Sequence, residues 1–336
     1  MRSVQVRPLR RFGRVMLSVV VAGREDDRPP LEALEVARTA DRLGYGELWV
    51  GESGPTWDSF ALAAAIGRET ERIALSVGPI PVSVRDPASI GRGAASVAAL
   101  AGGRPVGVAL GTSSVRVVET FHGRCRAGAA SVLARSAEEV RRLITPGMTE
   151  PGEEIIRGAH FRRRLPPGGG PLSVAAFGDR AIAVAARYAD RMLLDLVSPG
   201  QVRRFRDRLD RASAEAGRTP RLVAWLPVAV DPTDTAYDRI LTNVAGYLTV
   251  RGYDEAFTAA GYGEAVELAA AGADTARLVA ALPREAAGAV GAVGDLAAVR
   301  ARIEEYTAAG LDEIAINPVL DGDPAAERTL SALTGT

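Results

Sequence analysis

Apolar residues recur along this chain in two alternating rhythms. Short, nearly continuous apolar runs stand at Val15–Val21, Glu47–Val50, Ile73–Val77, Pro105–Leu110, Leu172–Ala176, Arg191–Leu196, Leu222–Val230 and Glu313–Ile316. Such runs fit strands buried on both faces. Between them apolar positions recur every three to four residues, which predicts amphipathic helices over Leu31–Leu43, Ser59–Glu69, Pro87–Leu100, Arg135–Ile144, Arg180–Ala189, Gly200–Ala216 and Leu296–Ala309. Punctuation agrees with the pattern. Gly44 is placed to end the first helix in a left-handed cap, and Pro87 opens another in its first turn. Ser198 caps a third, with Pro199 as its first residue.

Three stretches break the rhythm. Gly111–Ala134 is less regular. Thr145–Pro171 is rich in glycine and proline, carries the basic run Arg162–Arg164, and reads as an excursion because strand–helix alternation resumes after it. Thr233–Leu282 is alanine-rich and helical, with no clear strand, and reads as packing and lid. Eight strands, nearly all followed by helices, are what a (β/α)8 TIM-type barrel requires, here with insertions after strands four and seven. The expected organisation is one barrel domain over 14–333 preceded by a basic extension over 1–13. An open doubly wound sheet would want a glycine-rich dinucleotide turn after the first strand, and Gly23-Arg24-Glu25 is not one.

Five arginines precede Val15–Ala22, as in a short signal peptide. The run is at the short end for such a core, and a helix follows that needs a strand to pack on, so the strand reading is preferred. No other segment reaches the ~18 continuous apolar residues of a membrane span. A cytoplasmic protein is expected.

Composition narrows the chemistry. The 336 residues carry 41 basic and 41 acidic side chains, a balance that argues against nucleic acid or an anionic membrane as partner. Every basic residue is arginine, which excludes a Schiff-base lysine and a Walker A lysine. One cysteine (Cys125) and two histidines (His122, His160) leave no material for an intrachain disulfide, a cysteine-rich metal site or a histidine-rich metal centre. Cys125 reads as small and semi-buried, His122 as a loop residue that could bind phosphate with Arg124, and His160 as part of a solvated basic turn.

The run Gly44–Trp49 (GYGELW), then Thr70-Glu71-Arg72-Ile73, Arg85-Asp86-Pro87 and Leu100–Arg104 (LAGGR), resembles the luciferase-like monooxygenase superfamily. Pro171–Leu194 and Gly294–Pro318 resemble its methylenetetrahydromethanopterin-reductase-type branch. The resemblance implies a TIM-type barrel using the deazaflavin coenzyme F420 or, alternatively, FMN. With F420 it implies hydride transfer at the deazaflavin C5, reducing an activated C=C or C=N bond of a small organic substrate. With FMN, supplied reduced by a partner reductase, it implies oxygen activation. A non-catalytic flavin-binding or assembly subunit is a further alternative, and family analogy suggests a homodimer.

Active sites of such barrels lie at the C-terminal ends of the strands. After the third strand, Val77-Gly78-Pro79 matches the place where the family carries a cis-peptide bulge against the flavin ring. After the fifth, Ala176-Phe177-Gly178-Asp179-Arg180 opens a helix whose free N–H groups favour an anion, with Arg180 to neutralise a phosphate. Asp179 would repel that phosphate, and reads as the helix N-cap. Gly111-Thr112-Ser113 offers hydroxyls to a ribityl chain or phosphate, or is a plain polar loop. After the second strand, Glu52 keeps the family's acid and Trp57 its aromatic, while Ser53 replaces a histidine. Ser114 stands near the place of a family glutamate. These two departures put alcohol dehydrogenation in doubt. Glu52, Ser53 and Trp57 are the expected catalytic group.

Overall fold

The structure, a computed structural model, describes residues 8, 10–22, 31–52, 57–148, 154–156, 159–161, 165–250 and 253–334. Ser53 and Arg162–Arg164 lie outside the described residues, as does the side chain of His160. The strands are β1 (Arg10–Phe12), β2 (Val15–Ala22), β3 (Glu47–Gly51), β4 (Ala74–Pro81), β5 (Val106–Gly111), β6 (Glu154–Ile156), β7 (Ala159–Phe161), β8 (Gly169–Ala175), β9 (Arg191–Asp195), β10 (Arg221–Val230), β11 (Ala292–Gly294) and β12 (Glu313–Pro318). Eight of them run parallel in the order β2-β3-β4-β5-β8-β9-β10-β12, and β12 pairs with β2 to close the ring. This is the (β/α)8 barrel the pattern predicts, and all eight expected strands are its staves.

The α-helices among the described residues are α1 (Leu31–Leu43), α2 (Ser59–Glu69), α3 (Pro87–Leu100), α4 (Ala129–Ile144), α5 (Asp179–Tyr188), α6 (Pro199–Ala216), α7 (Asp234–Ala245), α8 (Tyr253–Phe257), α9 (Gly263–Ala270), α10 (Thr275–Ala281), α11 (Ala286–Ala289), α12 (Leu296–Ala308) and α13 (Glu327–Ala332). Gly44 leaves α1 in the left-handed region (φ 86°). Ser198 and Gln201 form a complete capping box on α6. The motif residues Thr70 and Arg104 act together. Arg104 is buried and donates to the carbonyls of Gly67, Thr70, Ile73 and Ala101 and to Thr70 Oγ1. Asp41 accepts from the N–H groups of Glu71, Arg72 and Ile73 at 2.8–3.1 Å. The resemblance in this region is therefore a record of turn construction.

The structure differs from the sequence pattern at several points. Arg10–Phe12, within the expected extension, pairs antiparallel with β2, and Arg10 donates to the carbonyls of Leu43 and Thr334. α4 begins at Ala129 instead of Arg135, after Gly128 in the left-handed region. The Thr145–Pro171 excursion contains the antiparallel pair β6–β7. β8 begins at Gly169, inside a stretch that reads as loop. Glycine is required there by packing, because a Cβ on Gly170 would stand 2.2 Å from Gly107 N on β5. β11 pairs with β10 outside the ring.

Inward positions alternate along each strand. Near the N-terminal end the lumen holds Ser18, Glu47, Ser76, Arg191 and Glu313. Above them pack Val20, Trp49, Ala109, Leu193, Val223 and Ala315, met from the mouth by Ala175 and Trp225. A second apolar cluster joins α7–α11 to Leu196, Ala229 and Val319, so the insertion after β10 sits on the C-terminal rim.

Candidate functional site at the barrel mouth

Three of the predicted segments meet at one place. β4 shifts register on β5 between Val77 and Ile80, and the Gly78–Pro79 peptide is cis. Gly78 has φ +120°, and a Cβ there would lie 2.3 Å from Ala109 O. Only glycine fits such a backbone. At the end of β5, a Cβ on Gly111 would lie 3.3 Å from Pro79 Cβ and 3.7 Å from Ala175 Cβ. The rims of β4, β5 and β8 thus converge on a patch with little side chain. Val77 and Ala176 turn away from it into the core shared with the helices, which leaves only their backbone near the mouth. Arg126 folds the next turn, donating to Ser113 O at 2.8 Å and Thr112 Oγ1 at 3.4 Å.

From β8 the chain enters α5. Gly178 is its N-cap, exposed, with extended φ and ψ and no side-chain cap bond. The expectation that Asp179 is the N-cap is corrected here. Asp179 is the first helical residue, and its carboxylate is paired with Arg208 of α6 at 2.7 Å. Its charge is thereby engaged beside the first turn, whose N–H groups have no side-chain acceptor. Arg180 is exposed on the same turn and makes no ion pair among the described residues. Phe177 is half-buried, its ring 5.0 Å from Tyr253 and 5.3 Å from Phe205.

At the end of β3, Glu52 accepts from Ser59 Oγ and from Ser59 N at 3.3 Å, and meets Arg85 at 3.4 Å. Arg85 also pairs with Asp58, the N-cap of α2. Glu52 therefore ties β3 to the start of α2. Trp57 is exposed at 45% beside this rim. His122 is exposed and lies edge-on to Phe121. Cys125 is exposed, which corrects the semi-buried reading: the preceding loop residues Phe121–Arg124 are exposed with it.

Residues 11–313 match the model of the family described as luciferase-like monooxygenase. The chain belongs to that family. A putative coenzyme F420-dependent oxidoreductase of Mycobacterium tuberculosis is 24% identical over 208 residues, 56% of this chain and 58% of that protein. The match thus spans little more than half the length of that relative. Among solved structures, the coenzyme F420-dependent tetrahydromethanopterin reductase of Methanopyrus kandleri superposes with a TM-score of 0.78 at 16% identity, covering 96% of this chain and 97% of that one. The FMN-bound oxygenating constituent of 3,6-diketocamphane monooxygenase from Pseudomonas putida gives 0.67 at 18% identity, covering 95% and 97%. At these identities the superpositions speak for the fold.

The far wall of this luciferase-like barrel holds groups that sequence reasoning passed over. Asp195 and Trp225 are register neighbours on β9 and β10, both partly exposed. Trp225 stands edge-on to Trp49, with ring centroids 5.9 Å apart. The insertion reaches back to them. Tyr253 Oη donates to the Asp195 carbonyl at 2.7 Å, and Tyr247 donates to the Asp195 carboxyl. Burial pushes that carboxyl up to about 7, against hydrogen bonds from Tyr247 and the Leu196 backbone N–H that favour its ionised form. The available signal was the alternation Arg191, Leu193, Asp195, which puts a carboxyl on the lumen face at the mouth. The tyrosines gave none, because their contact spans more than fifty residues. No described helix is long and apolar enough to cross a membrane.

Proposed function

We propose that this chain is an F420-dependent oxidoreductase that reduces an activated C=C or C=N bond of a small organic substrate. The observation that carries the reading is the convergence of the β4, β5 and β8 rims at Gly111, next to the uncapped start of α5. A flat ring needs a wall of small or flat residues, and Pro79, Gly111 and Ala175 supply one. A phosphorylated tail needs N–H donors and a cation, and the first turn of α5 with Arg180 supplies them. The residues therefore fit the group. Bound there, reduced F420 would supply hydride from its C5. The chain's own task is to hold the ring and tail and to cover the mouth with α7–α11. Trp57 at the β3 rim is assigned to the substrate side, with Glu52 holding that rim to α2; Ser53, next to Glu52 in sequence, is assigned with Trp57. The F420-dependent descriptions of the Mycobacterium relative and the Methanopyrus neighbour favour the deazaflavin over FMN.

Fluorescence titration of the full chain with F420 and with FMN tests this. Saturable binding of F420 and none of FMN is expected; the reverse overturns it. The variant Gly178→Asp is expected to weaken F420 binding at least tenfold, about 1.4 kcal/mol. Nothing lies within 4 Å of a Cβ at Gly178, and an N-cap aspartate would take the first-turn N–H groups for itself. Thermal stability should therefore hold or rise while affinity falls. Unchanged titration curves would remove the tail from this loop.

A further inference from the structure

We propose that Asp195 and Trp225 form a two-donor pocket for the carbonyl oxygen of the substrate, so that the bond reduced is the C=C of an α,β-unsaturated carbonyl compound. The proposal rests on the redox reading above and gives it a substrate class. Both side chains face the lumen by alternation, from adjacent strands in direct register. Both keep partial exposure, so the mouth reaches them. The indole Nε1–H of Trp225 is covered and has no acceptor among the described residues. A buried donor without an acceptor is uncommon, and it points to one supplied from outside the chain.

Asp195 stands beside it. The titratable groups that meet its carboxyl are the phenols of Tyr247 and Tyr253, both from the insertion; burial and the Asp195 charge hold Tyr253 well above its ordinary value. From β10 the register neighbour is the uncharged ring of Trp225, and the Phe177 ring, just after β8, packs on Tyr253. Arg191, four residues down the same strand, is engaged by Glu47 and Glu313. Because the carboxyl titrates at about 7, its acid form is present at and below neutrality and can donate. Two donors with no cation between them among the described residues suit a neutral acceptor oxygen. A carboxylate would want an arginine, and an iminium nitrogen would want the ionised aspartate.

Infrared difference spectroscopy of the full chain with 2-cyclohexen-1-one, with and without F420, is the test. In the unaltered chain the bound carbonyl stretch should move to lower frequency, and affinity should fall about tenfold from pH 6 to pH 8, following the acid fraction of a group titrating near 7. Asp195→Asn keeps an N–H donor and should flatten that profile. Trp225→Phe should lose part of the frequency shift and weaken binding at every pH, with cyclohexene as the control that lacks the oxygen. Affinity independent of pH in the unaltered chain, affinity rising with pH, or an unshifted carbonyl in Trp225→Phe relative to the parent would each overturn the pocket. Expected enone behaviour with no F420 binding would overturn the redox reading and leave the pocket standing.

Discussion

Arg191→Met is expected to destabilise the barrel by about 3–5 kcal/mol, the cost of breaking a buried ion pair from one side. Arg191 holds Glu47 through two contacts of 2.9 Å and reaches Glu313 at 3.5 Å, all inside the lumen. Its guanidinium also lies 5.0 Å from the Trp49 ring centroid. Each carboxylate has a further donor: Ser76 Oγ to Glu47 at 2.6 Å and Ser18 Oγ to Glu313 at 2.7 Å. Those hydroxyls cannot replace a cation. Methionine fills much of the volume, so the loss reports on charge more than on a cavity.

The pH dependence identifies the cause. Burial already raises Glu313, with Arg191 opposing and Glu47 adding to the rise. A carboxyl raised above its unfolded value of about 4.3 contributes stability below that value, and the contribution is lost as pH rises through the folded pKa. Removing Arg191 raises Glu313 further. The deficit of the variant should therefore be small in acid and grow toward neutrality, and adding Glu313→Gln should recover part of it at pH 7. Urea unfolding of the parent, the variant and the double variant measures this. A variant with the parental midpoint at pH 7 would show that the lumen does not depend on the pair.

What was legible in the chain follows from distance along it. Each barrel strand announces itself because burial on both faces makes it continuously apolar, and Ser198 caps its own helix three residues on. The bulge at Gly78–Pro79 was indicated by the family resemblance and not by any local pattern of the residues. The lumen network was not legible. Glu47, Arg191 and Glu313 each head a strand, where a charge reads as a solvated end, and only closure of the ring brings residues more than 120 positions apart into contact. Phe177 reads as part of a cofactor loop, yet its ring packs on Tyr253 from the insertion, a partner no local pattern indicates. Asp179 reads as a cap by residue type; the pairing with Arg208 that turns it outward is set by how α5 and α6 pack.

Gly78→Ala is the second large effect, roughly 2–6 kcal/mol of lost stability. It combines about 1–3 kcal/mol for a side chain at positive φ with about 1–3 for overpacking. Gly78 has φ +120°, and the added methyl would stand 2.3 Å from Ala109 O, 2.7 Å from Ile80 N and 3.1 Å from Ala109 C. All three are backbone atoms of the barrel wall, so no rotamer change relieves the overlap. Either β4 lifts off β5 or the bulge is abandoned. In both cases Pro79 leaves its place against Gly111, and F420 affinity should fall with stability. Gly178→Ala on the same rim is the control. It has no neighbour within 4 Å and negative φ, so its stability loss should stay within about 1 kcal/mol, the cost of alanine in place of glycine at an N-cap. Thermal melts of the two alanine variants, with F420 titrations of each, separate the cases. A Gly78→Ala protein that melts with the parent and binds F420 as the parent does would mean that the β4 bulge neither shapes the wall nor presents the ring.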